Sequence, residues 1–576
     1  MPAATFPVRL LLTTPLLLAG AVTTLLATGG RRAVADEPNV VAVVACDGYA
    51  DLKKQLRWVG TQVGNPALDG FAESFIMMAT QFKGLAGLDV GRPAGLVVTA
   101  AGGVPAIHGY VPVKDLDRLL AALEGITGPV GREGDVRRIA PPGGMPLDVV
   151  ERDGWAIFSP RGVELGIADP SAVIGPLAES FTLAAEVFPA RMPEGLRKQL
   201  EAVIEQAAQV AASQQGQPVD ATAIKAALAG LADTESFTIG LKVDTTEERM
   251  AIESRTTLVP GSPAAAAWTE AGKFRATVAE AGTSDGKPAA VRGHYVQTLS
   301  PTVRAAIQGG LEEGLAQAAG AEDDPVARTV LPLLRDLVSA MLESGGIDAR
   351  VAVDTSSAGG DRPLPDLTLG MRVKDGAALE RRLKERLGKP GGLPPGVAVR
   401  FDAGKAGAAN LHEITLSMKD VPEAERFGGR VVVTLAVTPD YAFLMVGEGI
   451  PARLEAAVGK SGRPDEKADP ISGLDVSLAA LTAYATRMAE AFSPDAAENA
   501  ALEVMAKAAA EKPSALVQLL ARPIERGLAV RFSVDAGAMR TIAAGVTAQA
   551  PAAKPGLPSL PGQVPGRAIP VPSLAP

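Results

Sequence analysis

Residues 111–125 read VPVKDLDRLLAALEG, and residues 371–388 read MRVKDGAALERRLKERLG. Each stretch leaves a short apolar run at Val-Lys-Asp and enters a segment with leucines at helical spacing. In the first, Leu116, Leu119, Leu120 and Leu123 fall on one face, with Asp115 at the helix start. In the second, Leu379, Leu383 and Leu387 do so. A strand that ends where a helix begins, found twice, predicts one αβ unit used twice.

The flanks extend the correspondence. Upstream of each unit lie a strand and two helices, expected at Val40–Cys46, 49–63 and 68–82, and again at 290–298, 301–319 and 325–343. Strand pairs follow at 94–99 with 106–113, and at 347–354 with 366–373. An aromatic strand comes after each Val-Lys-Asp helix: DGWAIFSP at 153–160 and DYAFLMVG at 440–447. Long helices (194–212 and 476–492), a strand pair and a last helix close each copy. The second copy carries an added strand near 397–401. Phe237, Ile239, Leu241 and Val243 alternate with Thr238, Gly240 and Lys242, as in an antiparallel sheet covered on one side. The fold class expected is α+β: two tandem related modules, each a mainly antiparallel sheet covered by helices. The boundaries expected are 1–35 for a signal peptide, 36–285 and 286–548 for the two modules, and 549–576 for a tail.

The N-terminus carries an address. Arg9 precedes an apolar run from Leu10 to Ala27, and Ala33-Val34-Ala35 offers small residues for cleavage before Asp36. This predicts export to the periplasm or beyond, with a retained N-terminal anchor as the alternative, since the run approaches the length of a membrane span. No later segment is long enough to span. The first 35 residues hold Arg9, Arg31 and Arg32 and no acid, so their removal takes the formal charge from −9 to −12. Such a chain, with no basic block, is a poor ligand for phosphate backbones, and no nucleic-acid partner is expected. Residues 551–576 hold eight prolines and no acid. They are expected to form an extended, disordered tail of polyproline character, a spacer or tether.

Composition limits the chemistry. Of 576 residues, 47% are hydrophobic, enough for real cores, but one is Cys and three are His. That leaves no disulfide framework or thiolate zinc site, and little for acid–base work near neutral pH. Gly282-Thr283-Ser284-Asp285-Gly286 matches the Gly-x-Ser-x-Gly of a nucleophile elbow, but Lys287-Pro288 follows where a helix should start. Gly459-Lys460-Ser461 resembles the end of a phosphate loop, yet Leu454 stands where the first glycine is needed. His412-Glu413 lacks a second His at the spacing zinc requires, and His412 is expected to be a solvated strand residue. His108 is expected to be structural and Cys46 a buried strand thiol. Glu322-Asp323-Asp324 reads as helix N-terminal acids rather than a calcium loop. Phe75, Met77 and Met78 could line a lipid pocket, but core packing explains them. No catalytic, cofactor-binding or metal residue is assigned.

The Val-Lys-Asp units, the DGWAIFSP strand and Pro260-Gly261-Ser262-Pro263 together resemble large secreted proteins of planctomycetes and similar GC-rich bacteria, for which no activity is established. The resemblance covers most of residues 38–548 and implies an α+β fold and an envelope location. The function expected is that of a non-catalytic envelope scaffold or binding module, with an unknown envelope protein as partner. The alternatives are a carrier of an apolar ligand, such as lipid, between sheet and helices, and a serine hydrolase using Ser284.

Overall fold

The Val-Lys-Asp turns form as the sequence requires. Asp115 accepts a hydrogen bond from the Arg118 amide at 2.9 Å and caps α3 (Leu116–Thr127). Asp375 accepts one from the Ala378 amide at 2.9 Å and caps α7 (Gly376–Leu387). Each cap satisfies an amide that the first helical turn leaves unpaired. Leu116, Leu119 and Leu120 of α3 and Leu379, Leu383 and Leu387 of α7 are buried against the sheet.

The computed structural model describes residues 39–549, less 102–103, 143, 164–166, 168, 216–229, 281, 284–288, 300, 302–303, 306, 313–334, 357, 359–363, 389–392, 394, 418–428, 448–449, 464–470, 493–497 and 512–513. The signal segment, the Pro-rich tail, Ser284 and Glu322-Asp323-Asp324 therefore lie outside the described residues. The fold of the described residues is mixed α+β, built on one antiparallel sheet of 20 strands. From one edge, the strands lie in the order β4 (Gly131–Glu133), β5 (Val136–Ile139), β6 (Leu147–Arg152), β7 (Trp155–Pro160), β3 (Val104–Pro112), β2 (Ala94–Ala101), β1 (Val40–Cys46), β8 (Leu183–Val187), β9 (Thr234–Asp244) and β10 (Arg249–Leu258). From the other edge come β14 (Val397–Ala406), β15 (Ala409–Ser417), β16 (Arg430–Val437), β17 (Tyr441–Val446), β13 (Asp366–Arg372), β12 (Gly346–Asp354), β11 (Val291–Thr298), β18 (Ser472–Ser477), β19 (Leu516–Ile524) and β20 (Gly527–Asp535). The two runs meet where β10 pairs with β20 from Arg249–Asp535 to Thr257–Gly527.

Four expectations change. The sheet is continuous through β10 and β20, rather than one sheet per module. The strand at 397–406 is not an addition: β14 takes the edge position that the three-residue β4 takes on the other side. The helix expected from residue 476 starts at Leu478, because Ser472–Ser477 is a strand between β11 and β19. The sheet is also not covered on one side only at β9. There Thr238 and Gly240 are buried on one face and Val243 on the other, while Phe237, Ile239 and Leu241 are partly exposed. Gly240 explains it, since a Cβ there would sit 2.3 Å from Phe181 Cδ1, so the missing side chain admits the Phe181 ring.

One core of the first half lies on this face. Val43, Ala45, Val97 and Ala184 pack with Trp155, Ile157 and Phe181, and with Ile174 and Leu177 of α4 (Pro170–Ser180). No helix of the described residues is long and apolar enough to cross a membrane.

Candidate functional site

The site grows out of two neighbouring rows of cross-strand partners in the second half. In one row, Arg292 of β11 opposes Asp475 of β18, which opposes Gln518 of β19. Asp475 receives Arg292 Nη2 at 3.2 Å and Gln518 Nε2 at 2.9 Å. In the other row, Arg350 of β12 opposes His294 of β11, then come Gly473 of β18 and Leu520 of β19. Side chains two apart on a strand share a face, so both rows point the same way. With Glu280, from the segment after α6 (Pro263–Ala271), they line a cavity of about 210 Å³.

Gly473 sets the shape of the floor. A Cβ there would lie 2.3 Å from His294 Cε1, so the imidazole comes this close to the glycine only because no side chain intervenes. The lining is two arginines, a histidine, two acids and an amide. Hydrogen-bonding groups converging in a concavity are what fixes a small polar ligand, and guanidinium forks match carboxylate or phosphate oxygens.

The segment beside Glu280 is held firmly. Thr277 donates its amide and hydroxyl to Asp348 Oδ2, both at 2.7 Å, and the Val278 amide adds a third bond at 3.2 Å. Arg453 of α8 (Ile450–Lys460) reaches Asp366 Oδ2 at 2.7 Å, the Gly282 carbonyl at 2.7 Å and Thr368 Oγ1 at 3.3 Å. These buried charges position the wall of the cavity.

The histidines fall in three different settings. His294 lines the cavity. His108 is buried between strands: Nδ1 lies 2.8 Å from Ser159 Oγ and Nε2 lies 3.2 Å from Thr99 Oγ1. A serine beside an imidazole suggests a nucleophile and its base, but Ser159 is wholly buried and its third partner is a threonine rather than an acid. Burial pushes the imidazole pKa down, which keeps it neutral.

His412 is not the solvated residue expected of it; it is 2% exposed. Its ring meets Phe401 edge-on and its Nδ1 accepts the Asp402 amide at 3.1 Å. Burial lowers its pKa, opposed in part by Glu380.

Glu380, Asp402 and His412 lie close enough together to suggest a metal site. The donor set does not fit one. Lys384 Nζ already bridges Glu380 Oε1 at 2.8 Å and both Asp402 carboxylate oxygens at 2.9 Å. An Nδ1 that accepts a hydrogen bond leaves the ring proton on Nε2, the atom a metal would need.

Other sequence candidates have structural roles. Ser461 donates to the Ala457 carbonyl and accepts the Ala279 amide, so Gly459-Lys460-Ser461 ends a helix rather than wrapping a phosphate. Cys46 is partly buried, its Sγ faces the Ala94 carbonyl at 3.5 Å, and burial raises its pKa. Ser262 caps α6 through the Ala265 amide at 3.1 Å, which explains Pro-Gly-Ser-Pro locally. An apolar cavity under α7, bounded by Leu383, Phe401 and Leu444, holds about 30 Å³. That is about the space of one water molecule and far less than an acyl chain needs.

Sequence reasoning missed Arg292, Arg350, Asp475 and Gln518. Their only signal was a polar or charged side chain within an apolar strand, and that has no meaning until the strand partners are known. Comparison with known protein families, curated proteins and solved structures finds no match.

Proposed function

We propose that the protein is an exported, non-catalytic binding protein of the cell envelope whose ligand seat is the cavity over Arg292, His294 and Arg350. The ligand is a small molecule carrying a carboxylate or phosphate group.

The reading rests on one comparison within the chain. Aligning Lys114-Asp115 with Lys374-Asp375 and following the strand pairing outward matches Ala45 with His294, Val43 with Arg292, and Gly95 with Arg350. It also matches Glu186 with Asp475 and Thr238 with Gln518. The acid and its polar neighbour are shared by both halves: Thr238 donates to Glu186 at 3.2 Å, as Gln518 does to Asp475. What differs is that Val, Ala and Gly become two arginines and a histidine. In the first half these positions lie under Ile174 and Phe181; in the second they border open space. Strand orders that match in the two runs support descent of both halves from one duplicated module, with the second having exchanged apolar packing for basic groups. The export signal and the resemblance to secreted proteins support the envelope location.

Thermal unfolding with a panel of small carboxylates, phosphate esters and neutral polyols tests the reading. Anionic members should raise the midpoint, and Arg350→Ala should abolish the rise. No response to any member, or a response that survives both Arg292→Ala and Arg350→Ala, would overturn it.

A further inference from the structure

Helix α2 (Leu68–Ala79) carries an apolar stripe that faces outward. Phe71, Phe75, Met78 and, just past the helix, Phe82 are 70%, 61%, 66% and 79% exposed. Spacings of four and three residues place Phe71, Phe75 and Met78 along one side of the helix, and Phe82 follows in the left-handed turn that ends it. Core packing, the sequence expectation for Phe75 and Met78, is therefore incorrect. The α1–α2 hairpin turns its other side inward: α1 (Tyr49–Gln62) sends Trp58 and Val59 to Ala538 and Met539 of α11 (Ala536–Gln549), and Arg57 of α1 holds Asp69 at 2.8 Å. Two exposed phenylalanines and a methionine on one short helix, with a third phenylalanine just beyond its end, are more than scattered surface apolar residues would supply.

We infer that this stripe is the docking site of the chain's own Pro-rich segment, residues 551–576. The place where that segment begins carries the argument. It follows Gln549, the end of the helix that packs on α1, the neighbour of α2. The length of α11 plus two helix-packing distances makes a path of roughly 40 Å. Twenty-six residues in polyproline geometry reach about 80 Å. Chemistry agrees with reach. The segment places Leu557, Leu560, Val564, Ile569 and Val571 among its prolines, and Pro-rich strands bind to exposed aromatic rings because their ordering cost is already small. Ile542 and Val546 are also exposed, on the last turns of α11 just before the root of the segment. Lys554 and Arg567, with no acid among residues 551–576, also suit a body of net negative charge.

Amide exchange and dye binding test this on the full chain and on one ending at Ala550. In the full chain the amides of residues 68–82 should exchange severalfold more slowly, and 1-anilinonaphthalene-8-sulfonate should bind less. Leu557→Ser with Leu560→Ser should reproduce the truncation while leaving every folded element intact. Equal exchange and equal dye binding in all three proteins would overturn the inference. So would concentration-dependent dimerisation, or co-sedimentation of the full chain with anionic vesicles, that Phe75→Ser abolishes; either would give the stripe to another occupant.

Discussion

Glu253 and Arg531 oppose each other in the ladder where the two runs of strands meet, with Arg531 Nε 2.8 Å from Glu253 Oε2 and the carboxylate 1% exposed. Arg255 Nε reaches the other oxygen at 2.6 Å. Carried outward from the Val-Lys-Asp turns, the register makes Glu253 and Arg531 equivalent positions. At such a junction identical side chains would bring like charges together, and an acid against a base removes that conflict.

Replacing this acid should loosen the junction. Burial raises the Glu253 pKa, but the hydrogen bond from Arg255 and the charges of both arginines outweigh it and hold the carboxyl below its ordinary value. The stabilisation is present above the unfolded pKa of about 4.3 and is lost as pH falls through the lower folded value. Glu253→Gln should cost about 2–4 kcal/mol at pH 7, and its urea midpoint should fall less than the parent's between neutral and acid pH.

His108 predicts a second pH dependence. Its folded pKa is depressed by burial, so the unfolded chain takes up a proton near pH 6.5 before the folded chain does. Stability should therefore be full above that pH and fall below it, approaching about 1.4 kcal/mol per pH unit for each such histidine. His412 contributes in the same direction. Denaturant titrations from pH 8 to 5.5 should show this slope, reduced in His108→Gln.

The Arg453–Asp366 pair should be among the costliest to break. Asp366 is 1% exposed, and the Arg453 side chain is 9% exposed. Arg453→Met leaves a buried carboxylate without its guanidinium, at a cost of about 3–5 kcal/mol. Adding Asp366→Asn should recover part of that loss; a double variant no more stable than Arg453→Met would show that the charge is not the cause.

Gly473→Ala separates the cavity from the fold. Its Cβ would displace the His294 ring, which has open space to move into, so the stability loss should stay at about 1–2 kcal/mol. The ligand-induced rise in midpoint should disappear. Retention of the full rise would place the ligand elsewhere.

The sequence by itself determined the local elements. The cap at Asp115 or Asp375 and the leucines behind it act within four residues, so α3 and α7 were legible, as was the hairpin of β9 and β10. The alternation of β9 did not say which face would be buried, because that depended on the Phe181 ring filling the gap at Gly240. Phe75 looked like core for a related reason: spacing shows which residues share a face, not what covers it. Only the tertiary structure decided β8 and β18. LAAEV and SGLDVS have little β-propensity, and they are strands because β1 and β9, or β11 and β19, offer hydrogen bonds on both edges. The junction at Glu253–Arg531 and the cavity over Gly473 have the same origin. Each is a relation between residues more than forty positions apart, which the pairing of strands creates and no local pattern encodes.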